Sequence, residues 1–212
     1  MGDVSMELIS VESLAERLVR SPAGKRHLVA LAGPPGAGKS TIAGRLEDRL
    51  NAIEPGCAAV LPMDGYHLDD WVLVPRGLRP RKGAPETFDV AGFAHMLKRL
   101  TANEEPEIAV PVFDRSIEIA RAGARMIPQS VRVLIVEGNY LLLEHDAWRT
   151  LAFDTTVMIS ADRDTLRDRL VARWKDHNLT PHEILAKVDD NDMLNVDLIL
   201  SRSRPADWLI QT

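Results

Sequence analysis

The chain has little cysteine, few aromatic residues, no long apolar run and no excess of positive charge. Its single cysteine, Cys57, stands among 212 residues. That excludes an internal disulfide framework and suits a reducing cytoplasm, the expected location. Cys57 itself reads as a small hydrophobe near a strand. No apolar stretch approaches the ~20 residues a membrane-spanning helix needs, so no membrane partner is expected. The N-terminus has no signal-peptide pattern. Met1-Gly2 resembles a myristoylation start, but Met6 sits where Ser or Thr is wanted. The net charge of −5 argues against bulk nucleic-acid binding, which favours a basic surface. There is no internal repeat and no low-complexity tract. What is present is 45% hydrophobic residues, enough for a core. The length suits one domain over residues 1–212, with a small insertion or lid.

The organising stretch is Gly33-Pro34-Pro35-Gly36-Ala37-Gly38-Lys39-Ser40-Thr41. It fits G-x-x-x-x-G-K-[ST] at every fixed place. An apolar run, Leu28 to Ala32, leads in and reads as a buried strand. Ile42, Leu46 and Leu50 lead out, four apart on one helix face. Glycines let such a loop curl with its N–H groups pointing at phosphate oxygens, and the helix N-terminus adds partial positive charge there. Lys39 is placed to reach the β- and γ-phosphates, and the Ser40 hydroxyl to ligate magnesium. An acidic chain that binds a polyanionic nucleotide must concentrate its cations locally.

Around this loop the chain reads as α/β: a P-loop NTPase three-layer fold, mainly parallel, with helices on both faces and a small lid. Val11, Leu14, Ala15, Leu18 and Val19 form a helical stripe, broken at Ser21-Pro22-Ala23-Gly24. Ala58 to Leu61 reads as a second strand, followed by Asp64-Gly65-Tyr66-His67. Ligands bind at the carboxyl ends of strands in such sheets, so Asp64 is either a group that takes or orients an acceptor proton or a turn cap. Trp71 to Thr87 reads as a long loop, whose Arg76, Arg79, Arg81 and Lys82 are a solvated face or a cationic lip for an anionic acceptor. Asp89 reads as an N-cap. Ile108 to Phe113, interrupted by Pro111, reads as an edge or insertion strand. Ile117 to Ile127 is ambiguous, with Gly123 marking a turn. Val131 to Val136 is a third buried strand, ending in Glu137-Gly138-Asn139-Tyr140, where Glu137 would serve magnesium. Thr155 to Ile159 is a fourth, with Ser160 as cap of the next helix. That helix carries Arg163, Arg167, Arg169 and Arg173, a lid's means of stabilising a transferring phosphoryl group. Thr180-Pro181-His182-Glu183 is a capping box. The acidic run Asp189 to Asp192 lacks calcium-loop spacing and reads as structural. His177 and His182 have poor metal-ligand spacing. Val196 to Leu200 and Trp208 to Ile210 read as the last strands, and Ser201 to Asp207 as a loop that could lie against adenine.

Five segments then occur in one order: Gly33–Thr41, Met63-Asp64-Gly65-Tyr66-His67, Pro85-Glu86-Thr87-Phe88-Asp89, Phe113-Asp114-Arg115 and Val136-Glu137-Gly138-Asn139-Tyr140. From about Leu28 to Ile210 the chain resembles the uridine kinase, phosphoribulokinase and pantothenate kinase group of P-loop kinases, and within it a bacterial nucleoside/nucleotide kinase-like branch that carries a fructose transport system kinase label. The resemblance implies ATP as donor, Mg²⁺, and a small-molecule hydroxyl as acceptor. It implies Asp64 as base, Asp89 in contact with acceptor hydroxyls, and Glu137 at magnesium. It also implies lid arginines, Arg169 and Arg173, at the phosphates. The chain departs from uridine kinases in its Arg76–Lys82 run and after Phe113.

The expected protein is therefore a small-molecule kinase, monomer or homodimer. Its phosphate site spans Gly33, Pro34, Pro35, Gly36, Ala37, Gly38, Lys39, Ser40 and Thr41. Its catalytic set is Asp64, Lys39, Arg169 and Arg173. Its acceptor set is Asp64, His67, Arg81, Asp89, Arg115, Glu137 and Tyr140, with Ser40 and Glu137 at the metal. Residues 64–128 are the expected acceptor insertion and 161–178 the lid. The rival is a nucleotide-switch GTPase or a regulatory ATP-binding module. Asp89-Val90-Ala91-Gly92 matches a switch motif by letters, without a preceding buried strand, and no Asn-Lys-x-Asp guanine reader is present.

Overall fold

The structure is a computed structural model that describes residues 6–21, 25–145, 147–175 and 179–212. The Met1-Gly2 start, the Pro22-Ala23-Gly24 break, His177 and the end of the expected lid lie outside the described residues.

Alternation in the central strands builds two cores from one sheet. In β2 (His27–Ala32), Leu28, Ala30 and Ala32 face one side and Val29 and Leu31 the other. In β6 (Val133–Gly138), Leu134 and Val136 oppose Val133 and Ile135 in the same way. A strand buried on both faces reads as a continuous apolar run, which is why these two were legible. With β1 (Glu7–Leu8), β3 (Ala58–Pro62), β7 (Thr155–Ser160) and β8 (Trp208–Gln211) they form a six-stranded sheet. The order is β1-β8-β7-β2-β6-β3 and every pairing is parallel.

On one face pack α1 (Val11–Val19), α2 (Lys39–Ile53) and α5 (Arg163–Lys175), through Leu14, Leu46 and Leu166 among others. On the opposite face Phe93, Leu97 and Leu100 of α4 (Val90–Ala102) join Tyr66, Tyr140 and Trp148. α6 (Pro181–Lys187) starts at the expected capping box, complete in both directions at Thr180 and Glu183. A π-helical turn, Val188–Asp192, joins it to α7 (Met193–Arg202).

Several expectations change. Val196 to Leu200 is helical and belongs to α7; a short apolar run does not distinguish a strand from a buried helix. The 71–87 segment is not a plain loop. It opens with a helical turn, α3 (Asp70–Leu73), capped by Asp69, and contains two 3₁₀ turns. Ile119–Pro128 is a full strand, β5, antiparallel to β4 (Glu107–Asp114) in a separate two-stranded sheet. Gly123 lies inside β5, near the register shift between Val110 and Val112, and not at the hairpin turn. Pro111 stands at that shift, where a missing N–H costs no ladder bond. Asp162, not Ser160, caps α5: its carboxylate accepts from the Thr165 N–H at 2.9 Å. No helix among the described residues is long and apolar enough to cross a membrane.

Candidate active site

The phosphate loop bridges the carboxyl end of β2 and the start of α2. Gly38 is the N-cap of α2 with φ +81°, in the left-handed region that glycine enters freely. It therefore supplies no side chain to cap the first turn, and the free N–H groups of a helix start suit an anion. Lys39 folds back over the loop, donating from Nζ to the Pro34 carbonyl at 2.9 Å. It is 8% exposed, and burial brings its pKa down to about 8, against the pull of Glu137 and Asp64.

Two strand ends deliver carboxylates to the same place. Glu137 is the last residue but one of β6, and its Oε1 accepts from the Ser40 hydroxyl at 3.4 Å. Burial pushes its pKa up, with Lys39 opposing. No arginine or lysine comes within ion-pair distance among the described residues. β3 runs into a 3₁₀ turn, Met63–Tyr66, that carries Asp64. Gly65 matters here by close approach: a Cβ on it would lie 2.5 Å from the Pro111 carbonyl oxygen. That is how β4 comes to lie against the Asp64 turn. Arg115, in the hairpin turn, then forms an ion pair with the Asp64 carboxylate. His67 donates from Nδ1 to the Asp64 carbonyl at 2.8 Å and is sandwiched by Phe88 and Phe113, at ring distances of 4.1 and 4.5 Å. Burial lowers its pKa.

These groups surround a cavity of about 560 Å³. Lys39, Ser40, Thr41, Asp64, His67, Arg81, Arg115, Glu137 and Arg173 all line it, as do Pro35, Gly36 and Gly38 of the loop. Arg173 makes no hydrogen bond or ion pair among the described residues and lies over the Trp174 ring. Desolvation beside the cavity, with the charge of Arg115, lowers its pKa.

The other expected site residues do not line this cavity. Asp89 is exposed and caps α4, accepting from the Gly92 N–H at 2.8 Å. Tyr140 is fully buried and donates its hydroxyl to the Gly83 carbonyl at 2.6 Å. Arg169 lies on the other side of the phosphate loop, donating to the Gly36 carbonyl at 3.3 Å and to Thr212 at 2.9 Å. There it borders a second, open hollow with Ile9, Arg45 and Gln211. Arg163 and Arg167 pair with Asp197 and Asp189. Ser203 to Asp207 leads into the amino end of β8, where Asp207 bonds Thr156. The phosphate loop is at the carboxyl ends of the strands, so this segment cannot lie against a base bound there.

The basic lip is internally paired. Arg79 and Lys82 both hold the Asp70 carboxylate at 2.7 Å, and Arg81 donates to Asn191 at 2.8 Å; Arg76 stays exposed. The structure adds lining residues outside the expected site: Asn139, Trp174 and Asn195, together with Asp190, Asn191 and Asp192 of the acidic run that the sequence reads as structural. The switch-like Asp89-Val90-Ala91-Gly92 spans the start of α4 and follows no buried strand.

A phosphate loop, a buried strand-end glutamate and an aspartate meeting in one cavity define a P-loop phosphotransferase. The chain belongs to the P-loop kinase family of the uridine and pantothenate kinases, and a family model described as "AAA domain" matches residues 29–192. It is 36% identical over 191 residues to "Uncharacterized protein YggC" of Escherichia coli strain K12, covering 88% of this chain and 78% of that one. It is 29% identical over 196 residues to "Putative uridine kinase C227.14" of Schizosaccharomyces pombe, covering 88% and 83%. Among solved structures, a "putative fructose transport system kinase" from Silicibacter sp. TM1040 superposes with a TM-score of 0.88 at 40% identity, covering 95% and 99%. The protein is thus a nucleotide-binding kinase of the small-molecule type.

Proposed function

We propose that this protein transfers the γ-phosphoryl group of Mg²⁺-bound ATP to a hydroxyl of a small molecule. The observation that carries the reading is the convergence of Lys39, Ser40, Glu137, Asp64, Arg115 and Arg173 on one cavity. The residues present suit magnesium. Mg²⁺ keeps several waters and takes one or two protein ligands plus phosphate oxygens, and a buried carboxylate 3.4 Å from a serine hydroxyl offers that pair. Bound Mg²⁺·ATP supplies the phosphoryl group and neutralises part of its charge.

The chain's own residues do the rest. The loop N–H groups and Lys39 hold phosphate oxygens, and Ser40 and Glu137 hold the metal. The Asp64 carboxylate orients the acceptor hydroxyl and takes its proton, one oxygen passing from Arg115 to the acceptor. Arg173, which lines the cavity and is held by no ion pair among the described residues, meets the charge that spreads over the moving group. Arg169 belongs to the nucleotide side, beside the hollow between β8 and the phosphate loop. Residues 64–128 form the acceptor side, and the helix from 161 onward the lid.

The test is ATP turnover with magnesium against sugars, sugar phosphates, nucleosides and pantothenate, with Asp64→Asn alongside. One acceptor should raise wild-type turnover well above the water background. Asp64→Asn should lose about 10²–10⁴-fold of that rate and still bind ATP. Wild-type transfer by Asp64→Asn would remove Asp64 from the role of base.

A further inference from the structure

One ring in the cavity wall carries an acceptor atom that nothing in the protein satisfies. His67 is half-buried and lines the cavity three residues after Asp64. Phe88 and Phe113 cover the faces of its imidazole, and a backbone bridge to Phe88 pins its main chain. Its Nδ1 lies 2.8 Å from the Asp64 carbonyl oxygen. A carbonyl only accepts, so Nδ1 carries the proton, and in the neutral ring Nε2 is a bare lone pair. Burial holds the ring's pKa below its ordinary 6.5, against the pull of Asp64, and the charges of Lys82 and Arg115 act with burial. At neutral pH the ring is therefore uncharged.

Nε2 sits at the far end of the ring from the backbone. It has no partner among the described residues. Nor is it one of their fully buried unpaired atoms, which are Tyr66 Oη, Asn103 Oδ1, Asn195 Oδ1 and Ser203 Oγ. With the faces covered and Nδ1 spent, the edge that bears Nε2 is what the ring presents to the cavity. The nearby donors are committed elsewhere: Lys82 to the Asp70 carboxylate and the Glu118 carbonyl, each at 2.7 Å, and Arg115 to Asp64.

The tautomer selects the partner. A carboxylate or an ionised phosphate also only accepts, so the group that meets Nε2 is a hydroxyl or an N–H. Asp64 and His67 stand at one turn, so the two groups they meet are close neighbours on the acceptor. A nucleobase N–H lies a whole ribose away from a nucleoside's primary hydroxyl. An amino alcohol would bring a further cation beside Lys82 and Arg115. A second hydroxyl has neither defect.

We propose that His67 Nε2 accepts a hydrogen bond from a hydroxyl neighbouring the one that is phosphorylated, so that the acceptor is a diol read by Asp64 and His67 together. This rests on the kinase reading above. His67 is then a specificity residue, which holds the acceptor and moves no proton.

Two measurements test it. The first needs no acceptor. Nitrogen-15 spectra of the histidine rings at neutral pH should show His67 protonated at Nδ1 and bare at Nε2, its signals assigned by their loss in His67→Asn. A proton on Nε2 in the free protein would overturn the proposal. The second compares D-fructose, ribitol, uridine and pantothenate, and deoxy analogues of each, as acceptors for wild type, His67→Asn and His67→Gln. Asparagine keeps an N–H for the Asp64 carbonyl and has nothing at the Nε2 position; glutamine can set an amide oxygen there and gives up the inner bond. His67→Asn should lower kcat/KM for the acceptor roughly 5- to 50-fold, mainly through KM and with ATP binding unchanged. His67→Gln should retain more. The reverse order, with His67→Asn near wild type and His67→Gln impaired, would show that His67 serves only its turn. Removing the neighbouring hydroxyl should cost the wild type a similar factor and His67→Asn under about threefold, the signature of a shared interaction. Equal costs in both would overturn the assignment and leave the kinase reading intact. No turnover with any probe, with ATP bound, would overturn the kinase reading and the proposal with it.

Discussion

Lys39 carries the residue-scale consequence of building a cation site in an acidic protein. Its ammonium is buried, and burial holds its pKa near 8 against an ordinary value of 10.5. Below pH 8 it is charged in the free protein; above, it is neutral and has nothing to offer a phosphate. Because kcat/KM reports the free enzyme's groups, its value for ATP should fall as pH rises through about 8. An unperturbed lysine would hold it flat to beyond pH 10. The sign for stability is opposite. Between about pH 8 and 10.5 the unfolded chain binds more protons at Lys39 than the folded one, so this group's contribution to stability rises with pH over that window. A pH profile of kcat/KM for ATP that stays level to pH 10 would show that the ammonium is not what the nucleotide meets.

At the scale of elements, Asp89 shows how a sequence segment can be read correctly in place and differently in role. The Pro-x-x-Phe-Asp resemblance implies acceptor contact, while the pattern after it predicts an N-cap. In the structure the carboxylate is exposed and spent on Gly92, outside the cavity. Asp89→Asn keeps the cap oxygen and removes the charge, so it should unfold in urea close to wild type. Asp89→Ala loses the cap and should be less stable by about 0.5–2 kcal/mol. If Asp89 serves only the helix, neither change should raise the acceptor KM. A tenfold rise in KM with Asp89→Asn would return it to the acceptor site.

The same contrast runs through the other elements. The phosphate loop, β2, β3, β6 and β7 were legible because each couples an apolar run to a local motif. Glu137 and Asp64 were legible because strand ends face the site in such sheets. The partners of the basic lip were not, because Asp70 and Asn191 lie 9 and 110 residues from the arginines they hold. Asn195 was hidden for a different reason. It adjoins the run Val196 to Leu200, whose apolar letters fit a strand as well as a helix, and a single asparagine in a cavity wall has no sequence pattern at all.

The whole molecule gathers its charge from separate parts: loop and α2 from one stretch, Glu137 from β6, Arg115 from the hairpin, Arg173 from α5. A nucleotide bound there touches several elements of the folded chain and none of the unfolded one, so its binding energy should appear in the stability of the entire fold. At free ATP 100 times its Kd, with magnesium, mass action adds about 2.7 kcal/mol to the folded state. For a chain of this size that corresponds to a Tm about 5–10 °C higher. Lys39→Ala should lose most of this shift, and chelating the magnesium with EDTA should reduce it and stop transfer. Ser40→Ala separates the two contributions. It keeps the loop and Lys39 but loses the hydroxyl beside Glu137, so it should retain a shift with ATP alone and gain less from added magnesium than the wild type does. A magnesium response in Ser40→Ala equal to the wild type's, measured by thermal unfolding over a metal titration, would place the ion away from the Ser40–Glu137 pair and leave Glu137 without the role proposed for it.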